Sequence, residues 1–280
     1  MKKGINILSF EKGRSIETNM KLAKDAGFDG IELAVIGEGE LCLASTDEEI
    51  IEIRKKADET GLELMSLASG LYWRFPFTHD DAAIRGKATE IVKTQLRVAS
   101  ILSADTILVI PGAVGVDFIP GFEHVPYDIA YERSLSAFRE LGAAAERYRI
   151  NIGLENVWNQ FLLSPLEFRD FIDKIGSAYI GCYFDVGNAL PTGYPQDWIR
   201  ILGSRIKKVH FKDFRKNVGT LDGFVDLLAG DADYREVMAA LRDIGYDDYV
   251  TAEMLPPYKQ YTDQIIYNTA ASMDRIIKGV

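Results

Sequence analysis

The chain alternates, almost from end to end, between short apolar segments rich in β-forming residues and longer segments of helical period. The apolar segments, which predict strands, cover residues 4–9, 30–34, 62–69, 106–111, 151–156, 180–188, 206–213 and 249–254. The intervening segments include 16–26, 48–60, 82–100 and 131–149, whose apolar positions recur every three or four residues and predict helices with one buried face. This order predicts repeated βαβ units and therefore a parallel sheet.

Eight such units in 280 residues favour a closed (β/α)8 TIM barrel, formed by a single domain over residues 1–280. Closure suits a parallel sheet because it leaves no strand edge unpaired. An open, doubly wound sheet is the alternative, but the sequence has no G-x-G-x-x-G after the first predicted strand and no P-loop. The irregular segment 113–128 predicts a lid over the mouth of the barrel.

The charge balance and the cysteine content limit the partners of the chain. The 32 Lys and Arg against 42 Asp and Glu leave a net charge of −10, which argues against a nucleic-acid partner. Two cysteines, Cys42 and Cys182, are too few for a disulfide framework and lack the spacing of a thiolate zinc site. The sequence has no signal-peptide core and no stretch near the ~20 apolar residues of a membrane span. We therefore expect a cytoplasmic protein with neither a membrane nor a nucleic-acid partner.

Polar side chains end the last four predicted strands: Glu155, Asp185, His210 and Glu253. In a TIM barrel the carboxyl ends of the strands form one face, so all four side chains are expected to converge there. Three carboxylates brought together without a cation would repel one another, and a divalent ion removes that repulsion. A strand-end acid taken alone is more often a helix cap or an ion-pair partner. The four together predict a metal site, and one imidazole with three carboxylates suits Mn²⁺, Co²⁺, Mg²⁺ or Zn²⁺.

The segments around these residues carry a family resemblance. Segments 153–156, 184–188, 209–213 and 252–254 resemble the signature segments of the xylose isomerase-like TIM-barrel superfamily, and more narrowly those of its sugar isomerase and ketose 3-epimerase branch. The similarity extends over the whole chain. It implies that Glu155, Asp185, His210 and Glu253 bind one divalent cation, with Mn²⁺ as the first expectation, and that Glu155 and Glu253 also act as acid and base.

The implied reaction removes the proton beside a ketose carbonyl and passes through a cis-enediolate. Two glutamates on opposite faces of that planar intermediate would epimerise the carbon, whereas one group working on a single face would interconvert aldose and ketose. The sequence leaves this choice open, together with the identity of the sugar, its phosphorylation and the oligomeric state, for which a homodimer or homotetramer is compatible.

Three other classes of function could use a barrel of this kind. A lyase that dehydrates a keto-inositol is the main alternative, because the same intermediate can expel a β-hydroxyl. Apurinic endonucleases share the barrel but need several more histidines than the three in this chain. A non-catalytic binding protein would not need all four metal positions.

Asn188 and Arg215 are predicted to contact the substrate. Free-ketose epimerases of the tagatose type have a histidine three residues after the metal-binding aspartate, where this chain has Asn188, as sugar-phosphate epimerases do. Asn188 can hydrogen-bond a substrate hydroxyl, although it could also be a satisfied turn amide. Arg215 matches a position where relatives place an arginine that touches the substrate and a catalytic glutamate.

Three further side chains are candidate substrate contacts. Lys212 could orient a substrate oxygen or pair with Asp213. Glu32 lies on the second predicted strand and is expected to meet sugar hydroxyls. Trp73 could cover the apolar face of a sugar or pack in the core.

Overall fold

The computed structural model describes residues 1–255 and 258–279, and within them eight parallel strands close into a barrel. The strands of the described residues, in chain order, are β1 (Lys2–Asn6), β2 (Gly30–Ala34), β3 (Glu63–Ala68), β4 (Thr106–Val109), β5 (Asn151–Glu155), β6 (Ile180–Asp185), β7 (Ile206–Phe211), β8 (Asp213–Phe214), β9 (Phe224–Val225) and β10 (Tyr249–Ala252). The barrel order is β1-β10-β7-β6-β5-β4-β3-β2, and β1 pairs with both β10 and β2. Strands β8 and β9 form a separate antiparallel ribbon. The predicted (β/α)8 barrel is confirmed.

Helices connect the strands around the outside of the barrel. They are α1 (Ile16–Asp25), α2 (Asp47–Thr60), α3 (Ala82–Leu102), α4 (Tyr127–Tyr148), α5 (Pro165–Ile175), α6 (Val186–Ala189), α7 (Pro195–Leu202), α8 (Tyr234–Asp243) and α9 (Gln264–Lys278). Helix α2 begins with a capping box between Thr46 and Glu49, and it ends at Gly61 with φ of 71°, a left-handed conformation that glycine adopts without strain. Among the helices of the described residues, none has the length and apolarity that a bilayer crossing requires.

The core has an outer and an inner part. The outer part packs alternate strand residues such as Leu33, Ile107 and Phe184 against the helices, and all three are fully buried. A small inner cluster contains Ala68, Leu108 and Tyr183. Because strand side chains alternate between the two faces, Tyr183 shares its face with Asp185 two residues later on β6. The inner face thus carries polar side chains toward the carboxyl ends of the strands.

The eight predicted barrel strands are present, but several end earlier than predicted. The strand predicted over residues 180–188 ends at Asp185. The Asp185 carboxylate accepts a hydrogen bond from the Asn188 backbone N–H at 2.8 Å and so caps the short helix α6. Segment 206–213 leaves the barrel at Phe211, and Asp213 begins the ribbon. Helix α4 begins at Tyr127 rather than at residue 131, which shortens the predicted lid segment 113–128.

Substitution of Gly181 in β6 should destabilise the barrel. A methyl group there would lie 2.2 Å from the Arg205 carbonyl oxygen, so backbone must shift. We expect Gly181→Ala to lower the free energy of unfolding by about 1–3 kcal/mol. The matched control is Gly86→Ala in α3, where a methyl group meets nothing within 4 Å and should raise stability by roughly 0.5–1 kcal/mol. Urea denaturation followed by circular dichroism measures both, and equal midpoints for the two variants would contradict the packing argument.

Candidate metal centre and active-site cavity

Four side chains from successive barrel strands converge at the carboxyl end of the barrel. Glu155 ends β5, Asp185 ends β6, His210 lies near the end of β7, and Glu253 follows β10. Each offers one ligand atom, and these atoms all lie within 4.8 Å of one another. Their exposed fractions are 7% or less. The structure therefore brings together the predicted ligands, and we call these four residues the metal cluster.

The hydrogen bonding of the metal cluster is incomplete in a way that fits a cation. Asp185 Oδ2, His210 Nδ1 and Glu253 Oε2 are buried and make no well-aligned hydrogen bond with the described residues, although the Lys212 ammonium pairs with the two oxygens. Buried polar atoms are nearly always partnered, because desolvation without a partner is costly. All three are atoms that can donate an electron pair to a divalent ion. The donor set and its orphaned atoms thus fit the metal site that the sequence predicts.

Glu32 lies inside the barrel beneath the metal cluster, fully buried. One carboxylate oxygen accepts hydrogen bonds from Asn6 Nδ2 at 2.5 Å and contacts His210 Nε2 at 2.7 Å. The other accepts from the hydroxyls of Ser66 at 2.7 Å and Tyr183 at 2.6 Å. This burial conflicts with the predicted contact of Glu32 with sugar hydroxyls. Glu32 instead holds the imidazole so that Nδ1 faces the metal cluster, as carboxylates behind metal-binding histidines commonly do.

A cavity of about 520 Å³ adjoins the metal cluster, within the ~300–1,000 Å³ typical of small-molecule sites. Its polar wall contains Glu155, Glu253, Asn188 and Lys212. Its aromatic wall and rim consist of Trp73, Phe118, Trp158, Phe224, Leu8, Lys12, Val157, Leu221, Asp222 and Leu255. A chamber with charged groups on one side and aromatic rings on another suits a small polyhydroxylated molecule.

Asn188 and Trp73, two predicted substrate contacts, line this cavity. Asn188 Nδ2 donates a hydrogen bond to Glu155 Oε1 at 3.2 Å, so the amide holds a candidate acid/base group. The Trp73 ring packs edge-on against Phe118, with ring centroids 5.2 Å apart. Phe118 comes from the predicted lid segment 113–128, which therefore contributes to the cavity wall.

Lys212 is buried, and its ammonium lies 3.1 Å from Asp185 Oδ2 and also pairs with Glu253 Oε2. The alternative pairing with Asp213 is wrong, because the Asp213 carboxylate accepts backbone N–H groups of the ribbon loop, including those of Leu228 and Gly230. Lys212 therefore contacts two residues of the metal cluster rather than the loop beyond it.

Arg215 does not reach the metal cluster in this structure. Its side chain is exposed, and Nε donates a hydrogen bond to the Ala229 carbonyl at 3.0 Å. It lines a neighbouring cavity with Tyr258 and Lys259. The predicted contact of Arg215 with substrate would require a different side-chain conformation.

Sequence reasoning missed two aromatic residues of the cavity wall. Trp158 donates a hydrogen bond from Nε1 to the Asn188 carbonyl at 3.2 Å, and Phe224 packs against it with ring centroids 5.2 Å apart. Trp158 follows Glu155 by three residues, so an aromatic residue just past a ligand-bearing strand end was an available signal. The sequence gives no comparable signal for Phe224, because the pairing of β9 with β8 brings it to the cavity.

Burial and charge set the protonation of the metal cluster in the absence of metal. Burial raises the pKa of Glu155 to about 8, and the charges of Glu253 and Asp185 add to this while Lys212 opposes it. Burial alone would lower the pKa of His210, but Glu32, Asp185 and Glu253 hold it well above its usual value. Near neutral pH, Glu155 is then protonated and His210 is an imidazolium.

Comparison with known proteins places this site in a family. The family model described as xylose isomerase-like TIM barrel matches residues 20–271. The chain belongs to this family. The family resemblance and the barrel predicted from the sequence are thereby confirmed.

Individual members of the xylose isomerase-like family extend the comparison. A putative L-ribulose-5-phosphate 3-epimerase, SgbU of Escherichia coli strain K12, is 26% identical over 273 residues, covering 90% of this chain and 87% of that protein. The crystal structure of a D-psicose 3-epimerase in the presence of D-fructose superposes with a TM-score of 0.80 at 20% identity, covering all of both chains. A structure of the IolI protein with a bound zinc atom has a TM-score of 0.82 at 16% identity, covering 100% of this chain and 99% of that one.

Metal binding should release protons from the metal cluster. A ligand must lose its proton to bind, so one ion should displace about two protons near neutral pH, one from Glu155 and one from His210. Affinity should therefore rise with pH between about 6 and 8. Calorimetric titration with MnCl₂ in buffers of different ionisation enthalpy measures the number of protons released. Binding without proton release would contradict these protonation states.

Glu32 should strengthen metal binding through His210. We expect Glu32→Gln to weaken metal binding by roughly 10–100-fold, because the imidazole loses the carboxylate that orients it and raises its basicity. Glu63→Gln is the matched control, since Glu63 lies at the opposite end of the barrel and pairs with Lys2. Calorimetry compares the two variants, and equal affinities would exclude the orienting role.

Proposed function

We propose that this protein is a divalent-metal-dependent sugar epimerase, and more narrowly a ketose 3-epimerase. The observation that carries the proposal is the metal cluster itself, whose two glutamates line a cavity of about 520 Å³. The similarity to a putative L-ribulose-5-phosphate 3-epimerase and to the structure of a D-psicose 3-epimerase supports the choice of substrate class. The structure with zinc supports the use of a metal.

The ligands of the ion would be Glu155, Asp185, His210 and Glu253, with Mn²⁺ as the proposed ion and Co²⁺, Mg²⁺ or Zn²⁺ as alternatives. When bound, the ion would withdraw electrons from a ketose carbonyl and acidify the neighbouring C–H. The pairing of β1 with β10 ties the first strand to the last, which supports the proposal that residues 1–280 act as a single domain.

Glu155 and Glu253 are the proposed acid and base. They come from β5 and from the end of β10, strands that β6 and β7 separate in the barrel, and both line the cavity. One glutamate would remove the proton from the carbon beside the carbonyl, and the other would return a proton to the opposite face. Inversion of that carbon is an epimerisation.

The other cavity residues would bind and enclose the substrate. Asn188 holds Glu155 at 3.2 Å and keeps its amide beside the reacting region, where it can hydrogen-bond a hydroxyl. Trp73, Phe118 and Trp158 offer apolar surface to the C–H face of a sugar and would keep water from the deprotonated carbon. Arg215 would contact substrate only after leaving the Ala229 carbonyl.

A screen of ketoses and ketose 5- or 6-phosphates in D₂O with MnCl₂ tests the proposal. Epimerisation should place one deuterium on C3 with no other change in product mass. Transfer between C1 and C2 would indicate aldose–ketose isomerisation instead, and loss of water would indicate the lyase. No reaction and no exchange with any of these substrates would count against the proposed activity.

An isotope-exchange assay should distinguish the roles of Glu155 and Glu253. Glu155→Gln and Glu253→Gln should each lower epimerisation by at least about a hundredfold, because each removes one proton-transfer group. Each variant should retain exchange only with the epimer whose proton the remaining glutamate removes. Metal content is measured in parallel because both residues are proposed ligands, and Glu63→Gln should leave the rate unchanged. Equal exchange from both epimers in either variant would rule out two acid/base groups.

A further inference from the structure

The Lys212 ammonium lies against two of the proposed metal ligands, Asp185 and Glu253. Its side chain is 10% exposed, and it pairs with Asp185 Oδ2 at 3.1 Å and with Glu253 Oε2. Asp185 Oδ2 and Glu253 Oε2 are also two of the atoms with no hydrogen-bond partner of good geometry in the described residues. The ammonium thus balances the negative charge of these two oxygens.

A divalent ion and this ammonium would compete for the same two oxygens. Carboxylate oxygens lie only ~2.0–2.2 Å from a bound Zn²⁺-sized ion, so an ammonium kept on both oxygens would be within a few ångströms of a second positive centre. Their repulsion would be weakly screened, because the residues of the metal cluster are almost fully buried. This repulsion favours the departure of one of the two cations from these oxygens.

The structure also provides a place for the ammonium to go. Lys212 lines the cavity, and its Nζ lies 5.5 Å from the centroid of the Phe224 ring on the cavity wall. A lysine has a flexible four-carbon stem, and an aromatic face attracts an ammonium. A rotation of the side chain could therefore move the charge away from Asp185 and Glu253 while keeping the contact with Phe224.

We propose that Lys212 is the counter-cation of the metal-free cluster, and that a divalent ion entering the cluster displaces its ammonium from Asp185 and Glu253 into the cavity. The inference rests on the metal site of the proposed function. It also accounts for a buried lysine among metal ligands, since the same side chain holds the carboxylates together before the ion arrives. After displacement the ammonium lies where the predicted contact with a substrate oxygen requires it.

Metal affinity is the first test. Lys212→Met keeps the length of the side chain and removes its charge, so its Kd for Mn²⁺ should fall by roughly tenfold or more when the competitor is absent. Lys212→Arg keeps the charge, so its Kd for Mn²⁺ should remain closer to that of the wild type. Lys208→Met is the matched control, because Lys208 is a buried lysine of β7 that pairs with Asp105 and Asp248, away from the metal cluster. Its Kd should stay within about twofold of the wild type.

Chemical labelling of the wild-type protein is the second test, and it does not depend on whether a variant folds. Acetylation of lysines, measured by peptide mass spectrometry, should rise several-fold at Lys212 when MnCl₂ is added. Exposed Lys12 on the cavity rim and buried Lys208 serve as accessible and protected references that should not change. A role of Lys212 as a fixed charge would leave its labelling unaltered.

The outcomes separate this inference from the proposed function. Tighter binding by Lys212→Met together with metal-dependent labelling of Lys212 supports the exchange. The exchange is overturned if Lys212→Met binds Mn²⁺ with the same affinity as the wild type, or if Mn²⁺ does not change the labelling of Lys212. The metal site itself still stands in both cases, provided that the wild type binds Mn²⁺. If neither protein binds Mn²⁺, Co²⁺, Mg²⁺ or Zn²⁺, both proposals fail.

Discussion

Four buried carboxylates, those of Glu32, Glu155, Asp185 and Glu253, share the carboxyl end of this barrel, and their repulsion must be balanced by positive charge. In the metal-free protein the balance comes from the His210 imidazolium, the Lys212 ammonium and a proton on Glu155. A divalent ion carries the same charge as the two protons that it is expected to replace, one on His210 and one on Glu155. The proposed metal chemistry, the position of Lys212 and the expected proton release all follow from this one requirement.

The barrel satisfies the requirement through strand geometry. Parallel strands point their carboxyl ends to one rim, so residues separated by 25 to 43 positions in the sequence become neighbours. The inner strand positions beneath the rim are polar, and Glu32, Ser66 and Tyr183 form a hydrogen-bonded layer under His210. The buried polar groups of this layer orient one imidazole, which is the usual arrangement behind a metal-binding histidine.

The aromatic wall of the cavity comes from the connections that follow the barrel strands. Trp73, Phe118, Trp158 and Phe224 lie on four different connections between barrel elements, and together they enclose the space beside the metal cluster. Loops can change without disturbing the barrel, so substrate choice can differ among family members that keep the same ligands. This explains why the ligand pattern in the sequence points to a chemistry more clearly than to a particular sugar.

The sequence by itself determined the eight barrel strands and the metal cluster, because strand-end residues of a parallel barrel must converge whatever the details of packing. It did not determine which way each side chain points. Glu32 lies in the middle of β2, where it faces the barrel interior and contacts His210, while Glu155 ends β5 and faces the cavity. Lys212 could pair with Asp213 by proximity in sequence, but the turn after β7 directs the two side chains apart, one to the metal cluster and one to backbone amides. Only the tertiary structure decided these contacts, because they depend on where each strand ends relative to its neighbours.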